Sequence, residues 1–186
     1  MKLLIYGSKD FGRLVRELVR ACGHEALGFV DDVSPDGEGV VGDYAAARRR
    51  HPPGDGVGMA IAIGYKHLQA RHQVWTRVRG DGYATPALVH PTAIVAPGAQ
   101  IGEGAILMAG ANVDAFAEIG ALCVLWPGAI VSHDSRIGAN CFLSPGAIVC
   151  GFVATGAHCF LGAGSVVVDH REVPDRAFVK AGAVYK

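Results

Sequence analysis

The feature that most constrains this chain is a six-residue period running unbroken from Ala93 to the C-terminus. Cut into sixes from Ala93, the third residue is Val, Ile or Leu in fourteen of sixteen segments, from Val95 to Val179, with Thr155 and Tyr185 as the exceptions. The first residue is Ala, Cys or Ser in fourteen of sixteen, Val153 and Arg171 standing apart. A period of six fits neither the 3.6 of an α-helix nor the 2 of a lone strand. It fits a triangular coil of three hexads per turn, whose flat sides are short strands stacked in parallel about 4.8 Å apart. The aliphatic third residue then fills the interior, and the small first residue fits where the chain rounds a corner. Glycines at positions four and six are expected to supply the tight turns and positive φ of those corners. Just over five coils follow, so residues 91–186 are predicted to form a parallel β-helix.

Residues 1–90 read differently. A short apolar strand, Leu3–Tyr6, meets the loop Gly7-Ser8-Lys9-Asp10-Phe11-Gly12. A helix follows with apolar positions Leu14, Val15, Leu18 and Val19, ending near Gly23. Strands are predicted over Ala26–Val30, Val57–Ile63 and Tyr83–Val89, and helices over Tyr44–Arg50 and Lys66–Arg79. This alternation implies a parallel α/β sheet, a Rossmann-like βαβ domain spanning 1–90. Ligands of such sheets sit at the carboxyl ends of the strands. There the chain offers Gly7, Ser8, Lys9 and Phe11 at a helix N-terminus suited to phosphate, the pair Asp31-Asp32 suited to ribose hydroxyls, and Gly64-Tyr65. The glycine spacing is not a full GxGxxG, so a purely structural turn competes with a nucleotide site.

Charge narrows the function classes. Lys plus Arg and Asp plus Glu both number 17, so the basic footprint of a nucleic-acid binder is missing. The run Arg48-Arg49-Arg50 reads as a solvated helix end. No apolar stretch approaches the roughly 20 residues that span a bilayer, and the first strand is too short for a signal peptide. A cytoplasmic protein without a membrane partner is expected. Five cysteines without a CxxC pair, and no HExxH, point to free thiols and no metal. Cys123, Cys141 and Cys159 are spaced by 18 and read as small buried residues stacked on one corner.

One polar position of the repeat stands out. His133 occupies position five of its hexad, on the outside, with Ala115 and Gly151 one coil away on either side. The imidazole thus stands in an open slot, followed by Asp134 and bracketed by Ser132 and Ser135. A neutral imidazole suits a general base, a neighbouring carboxylate can fix its tautomer, and a bare N–H at Gly151 suits a thioester oxyanion. His90, His158 and His170 carry less. His158 and His170 share position six but lie twelve apart, on different faces, so nothing matches the three-His metal site of hexapeptide carbonic anhydrases.

Taken in order, the small βαβ domain with its Gly7-to-Gly12 turn and Asp-Asp pair, the stretch HPTAIVAPGAQIG and the stretch GAIVSHDSRIG resemble the bacterial nucleotide-sugar acetyltransferases of the sialic-acid O-acetyltransferase and bacillosamine-pathway N-acetyltransferase type. The resemblance covers nearly the whole chain. It implies a left-handed β-helix, an exception to the right-handed crossover rule, and a homotrimer with active sites between adjacent prisms. It also implies acetyl-CoA lying along the β-helix and an N-terminal domain that holds a nucleotide-linked amino sugar. Carried over, His133 takes the proton of the sugar amine, Asp134 orients it, and Gly151 binds the thioester carbonyl. Gly7, Ser8, Lys9, Phe11, Asp31, Asp32, Gly64 and Tyr65 face the nucleotide, and Trp126, Phe142 and Ala163 join Gly151 along acetyl-CoA. The chain departs from its relatives at Trp126, where they commonly carry Asn, at Asp10-Phe11 in place of Gly-His, at Phe142 in place of a second imidazole in some, and in a last segment lacking proline. The expectation is acetyl-CoA-dependent N-acetylation of a nucleotide-linked amino sugar. Sugar O-acetylation and a non-catalytic, trimeric nucleotide-sugar-binding protein are the alternatives.

Overall fold

The computed structural model describes residues 1–54 and 56–186. The chain divides into two compact units, Met1–Pro86 and Ala87–Lys186.

The first unit is a parallel sheet in the order β3-β2-β1-β4 with helices attached. At its centre β1 (Lys2–Tyr6) pairs with β2 (Glu25–Val30) on one edge and β4 (Val57–Ile61) on the other. Leu3, Leu4 and Ile5 of β1 are 0% exposed, the continuous apolar run expected of a strand covered on both faces. Helix α1 (Asp10–Ala21) buries Gly12, Val15, Leu18 and Val19 at helical spacing. Leu14, expected on that face, is exposed. Gly12 takes the first inward place because a Cβ there would strike the Gly7 carbonyl.

Three sequence expectations need correction. A strand β3 (Val40–Gly42) pairs with β2; three residues are too few to show a period. The long helix begins as a 3₁₀ turn, Tyr65–His67, and becomes α-helical over α3 (Leu68–Gly80). The strand expected over Tyr83–Val89 does not form as one element. Ala84 makes a single bridge to Gly58, Pro86 has no N–H to give a ladder, and Leu88–Val89 pairs with Ile106–Leu107 as the first rung of the second unit. Between α2 (Tyr44–Arg50) and its preceding turn, Asp43 caps the helix by accepting from Ala46 N at 2.7 Å.

The second unit is a left-handed β-helix. Two-residue rungs stack in register on rungs 18 residues away; Val124–Leu125, for example, lies between Ile106–Leu107 and Phe142–Leu143. They form one ladder of five rungs and two of six. The interior is the predicted one: Leu107, Val113, Leu125, Val131, Leu143 and Val149 are 0% exposed, as are the small first-position residues Ala105, Ala111, Ala117, Ala129 and Ala147. A fully buried aliphatic side chain contributes about 1.5–3 kcal/mol, so the repeated column accounts for this unit's cohesion. The odd residue, Thr155, keeps its hydroxyl satisfied by accepting from Gly138 N at 3.1 Å. Cys123, Cys141 and Cys159 are free and buried. Hydrogen bonding to Cys123, with burial, pushes the Cys141 thiol up to about 12, so these thiols are packing groups.

The corners are of two kinds. Every position-six residue from Gly98 to Gly182 has positive φ, including Phe116, Leu122, Asp134, Asn140, Phe152, His158, His170 and Arg176. Position-four glycines do not share that conformation, contrary to expectation. Their constraint is close approach between coils: a Cβ at Gly138 would lie 2.4 Å from the Gly156 carbonyl oxygen.

Candidate active site

His133 follows the rung Ile130–Val131 and rounds the corner that Asp134 closes at φ 56°. Coil-to-coil bonds fix this corner on both sides: Asp134 N donates to Ala115 O at 3.1 Å, and Phe152 N donates to His133 O at 3.2 Å. His133 Nδ1 lies 3.0 Å from Asp134 Oδ2, with both side chains about half exposed. An ionised carboxylate can only accept, so the neutral ring carries its proton on Nδ1 and its lone pair on Nε2. The edge of the ring lies over Gly151, where an alanine Cβ would stand 2.9 Å from Cε1, 3.0 Å from Nε2 and 3.5 Å from Nδ1. The slot anticipated from sequence is therefore shallow, and only a glycine fits under the ring.

The neighbours sort unequally. Ser135 is fully buried, donating to Cys150 O at 2.7 Å, lying 3.4 Å from His133 O and accepting from Val153 N; it braces the backbone beneath the His-Asp pair. Two aromatic residues that sequence reasoning passed over stand here. The Phe152 ring meets His133 edge-on at 5.2 Å and stacks on His170 at 4.8 Å. Phe116 occupies the same corner one coil before Asp134, two before Phe152, and is 66% exposed. The 18-residue spacing Phe116–Asp134–Phe152–His170 was the available signal. Trp126, Phe142 and Ala163 belong to another side of the prism, with Phe142 stacked in a ladder on Phe160 and Phe178. Within one chain they are not assembled around His133.

In the N-terminal unit a cleft of about 840 Å³ opens at the carboxyl end of β1, its walls including Ser8, Lys9, Arg13, Arg16 and Phe29. Lys9 Nζ donates to Ser34 Oγ at 3.2 Å, Arg13 pairs with Asp10 at 2.6 Å, and the Arg16 guanidinium lies 5.2 Å over the Phe29 ring. Gly7 stands behind the cleft, its missing Cβ making room for the Ala62 carbonyl. Phe11 and the Gly64-Tyr65 turn lie outside the lining.

Both acids after β2 are engaged within the chain. The buried Asp31 carboxylate accepts from the Ser8 hydroxyl and N–H and from Val33 N and Ser34 N, the last two at 2.9 Å. Burial alone would raise its pKa, but these hydrogen bonds outweigh it and hold the carboxyl below its ordinary value. Asp32 accepts from Tyr6 OH at 2.6 Å, Tyr44 N at 2.8 Å and Arg77, and is lowered in the same way against its burial. The Tyr6 phenol is pushed up by burial and by Asp32. Among the described residues no group of three or more His, Cys, Asp or Glu is placed to hold a metal, and no helix is long and apolar enough to cross a membrane.

The geometry has counterparts in known proteins. The PglD N-terminal domain model matches residues 2–78. Across its whole length the chain is 33% identical to PerB from Caulobacter crescentus, solved in complex with CoA and GDP-perosamine, covering 89% of that chain with a TM-score of 0.90. The acetyltransferase domain of PglB from Neisseria gonorrhoeae is 27% identical in its complex with acetyl coenzyme A, over 99% of this chain and 92% of that one, at TM-score 0.89. WeeI from Acinetobacter baumannii shares the fold at 22% identity and TM-score 0.76, with 99% and 96% covered. No curated protein sequence matches.

Proposed function

We propose that this chain, which belongs to the left-handed β-helix sugar acetyltransferases, transfers an acetyl group from acetyl-CoA to the amine of a nucleotide-linked sugar, with His133 as general base. The observation that carries this reading is the half-exposed imidazole held at Nδ1 by Asp134, with its ring edge over the bare backbone of Gly151.

Acetyl-CoA supplies the acetyl group as a thioester. His133 Nε2 accepts the amine proton as the sugar nitrogen bonds to the acetyl carbon. The carbon–sulfur bond breaks, Nε2 passes the proton to the departing sulfur, and the ring returns to its neutral state. Asp134 holds the ring's orientation and stabilises the imidazolium formed in passing. The Gly151 N–H is assigned to the carbonyl oxygen, where charge develops. Trp126, Phe142 and Ala163 are assigned to the donor. Their place on another side of the prism supports a site completed by a second copy. The outward row Ile94, Asn112, Ile130, Ile148, Val166 and Val184, aliphatic except at Asn112, supports a homotrimer, which sedimentation would measure. In the N-terminal cleft, Ser8, Lys9, Arg13 and Arg16 are assigned to the diphosphate, and Gly7, Asp31 and Asp32 shape the loop around it; Phe11, Gly64 and Tyr65, outside the lining, are assigned no contact. The setting is the cytoplasm, and no metal takes part.

Purified protein mixed with acetyl-CoA and GDP-, UDP- and dTDP-linked amino sugars should release CoA thiol. His133→Ala should lower the rate roughly 10²–10⁴-fold. Absence of turnover with every acceptor, or undiminished turnover in the variant, defeats the proposal. Mass spectrometry of the product separates N- from O-acetylation.

A further inference from the structure

Phe116 and Phe152 are only partly packed, Phe116 against Gly98 of the preceding coil and Phe152 against His133 and His170. Both adopt a left-handed backbone, at φ 62° and 58°, which a side chain with a Cβ disfavours. At other corners glycine avoids that cost, a buried side chain uses it, or a polar residue such as His170 or Arg176 stands in solvent. One corner column is entirely glycine (110, 128, 146, 164 and 182), and Leu122 and Asn140 on another bury their side chains completely. Phe116 and Phe152 are instead 66% and 49% exposed. They combine an unfavourable backbone with apolar rings in solvent, a pairing that clusters at functional sites.

Their position says what they are for. They share one column with Asp134, one coil to each side of it, and so flank the His133–Asp134 pair at backbone positions about 9.6 Å apart. The His133 ring, with Nε2 on its near edge, lies over Gly151, the residue before Phe152, and the Phe152 ring centre is 5.2 Å from that of the imidazole. Stacking on His170 holds that ring in place. A group presenting its nitrogen to Nε2 therefore brings whatever carries that nitrogen against a phenyl ring. In the reaction proposed above, the carrier is a sugar ring, whose hydroxyl edges suit polar partners and whose C–H faces suit the face of an aromatic ring.

We propose that Phe116 and Phe152 are specificity-determining residues that wall the acceptor sugar, taking its C–H faces while its amine lies at His133 Nε2. This rests on the reading of His133 as the base. Near the base the donor presents only a two-carbon acyl group, with far less C–H surface than a sugar ring, so the donor is the weaker occupant.

The test compares dissociation constants, by calorimetry, for a nucleotide-linked amino sugar and for the same nucleotide alone, in wild type, Phe116→Ala, Phe152→Ala and Phe116→Gly. The nucleotide-sugar should weaken about tenfold in each variant while the nucleotide alone is unchanged and the KM for acetyl-CoA stays within about twofold. Phe116→Tyr should restore affinity. Phe116→Gly should lose affinity yet melt no lower than wild type, because glycine relieves the left-handed backbone. The proposal is overturned if the variants keep the wild-type difference between nucleotide-sugar and nucleotide, if the donor KM rises instead, or if the wild type shows no such difference. A wild-type difference that the variants lose, without acetyl transfer, supports the walls and defeats the catalytic reading. Transfer with the difference intact in the variants does the reverse.

Discussion

The two units of this chain are both parallel β structures, yet they are specified in opposite ways. In the β-helix each strand is two residues long, too short to be recognised alone, and its register is fixed because the rungs 18 residues away repeat it. In the N-terminal unit each strand is longer but occurs once, and β1 pairs with β2 only after a register shift between Leu3 and Leu4. Repetition, more than strand length, is what makes a β register readable. It also relocates freedom. The β-helix interior tolerates few chemistries, so its function must sit on the corners. The N-terminal sheet carries its polar network at the strand ends.

The comparison can be pressed hardest at the corner that carries the chemistry. Gly151→Ala has no left-handed backbone to strain, but its Cβ would sit 2.9–3.0 Å from the imidazole. Turnover should fall about 10²-fold from displacement of the ring while the melting temperature barely moves. A fully active Gly151→Ala would remove the slot from the account of the site.

The next test separates the two kinds of corner glycine. Gly138→Ala places a Cβ 2.4 Å from a backbone oxygen of the next coil, whereas Gly164→Ala has nothing within 4 Å and only its φ of 62° to bear. Denaturant unfolding should show a loss of about 3 kcal/mol for the first and about 1 kcal/mol for the second. Equal losses would show that one constraint governs both positions.

Acid should distinguish the units. The Asp31 and Asp32 carboxyls are held below their ordinary value by hydrogen bonds that outweigh burial. Their stabilisation is thus complete above the unfolded value of about 3.9 and is lost as the pH falls through the lower folded values. Each unit has one tryptophan, Trp75 and Trp126. In Trp126→Phe protein the Trp75 emission should change on acidification below about pH 4, before Trp126 responds in the Trp75→Phe protein. Asp31→Asn should flatten the early transition.

The smallest effect is expected at the break in the aliphatic column. Thr155→Val should change stability by less than about 1 kcal/mol, because Gly138 N keeps the Thr155 carbonyl at 3.1 Å when the hydroxyl is gone.

Much of the β-helix was legible before the structure, down to the interior role of Val95 through Val179, because sixteen hexads repeat one instruction. That His133 stands beside Gly151 was legible for the same reason: an 18-residue spacing places residues beside one another without further information. The role of the position-four glycines was misread, since a short contact between coils and a positive φ demand the same residue. Phe116 and Phe152 were missed because aromatic residues at position six of a hexad look like unremarkable surface until their left-handed backbone is seen. In the N-terminal unit the break at Pro86 and the three-residue β3 depend on tertiary pairing. The commitment of Asp31 and Asp32 to Ser8, Tyr6, Tyr44 and Arg77 depends on contacts up to 45 residues apart, which no local pattern records.

The stacking of Gly151 beside His133 also limits how the length of such a chain can change. Deleting one hexad upstream of Gly151 and downstream of His133 would turn every later residue by a third of a revolution and carry the glycine to a different side. Removing a whole coil of 18 would restore the direction but set Asp169 beside the imidazole in its place. Length here is counted in units of three hexads, and even a permitted step exchanges the neighbours of the site. A segment of any size can be accommodated only by leaving and rejoining the coil at one corner.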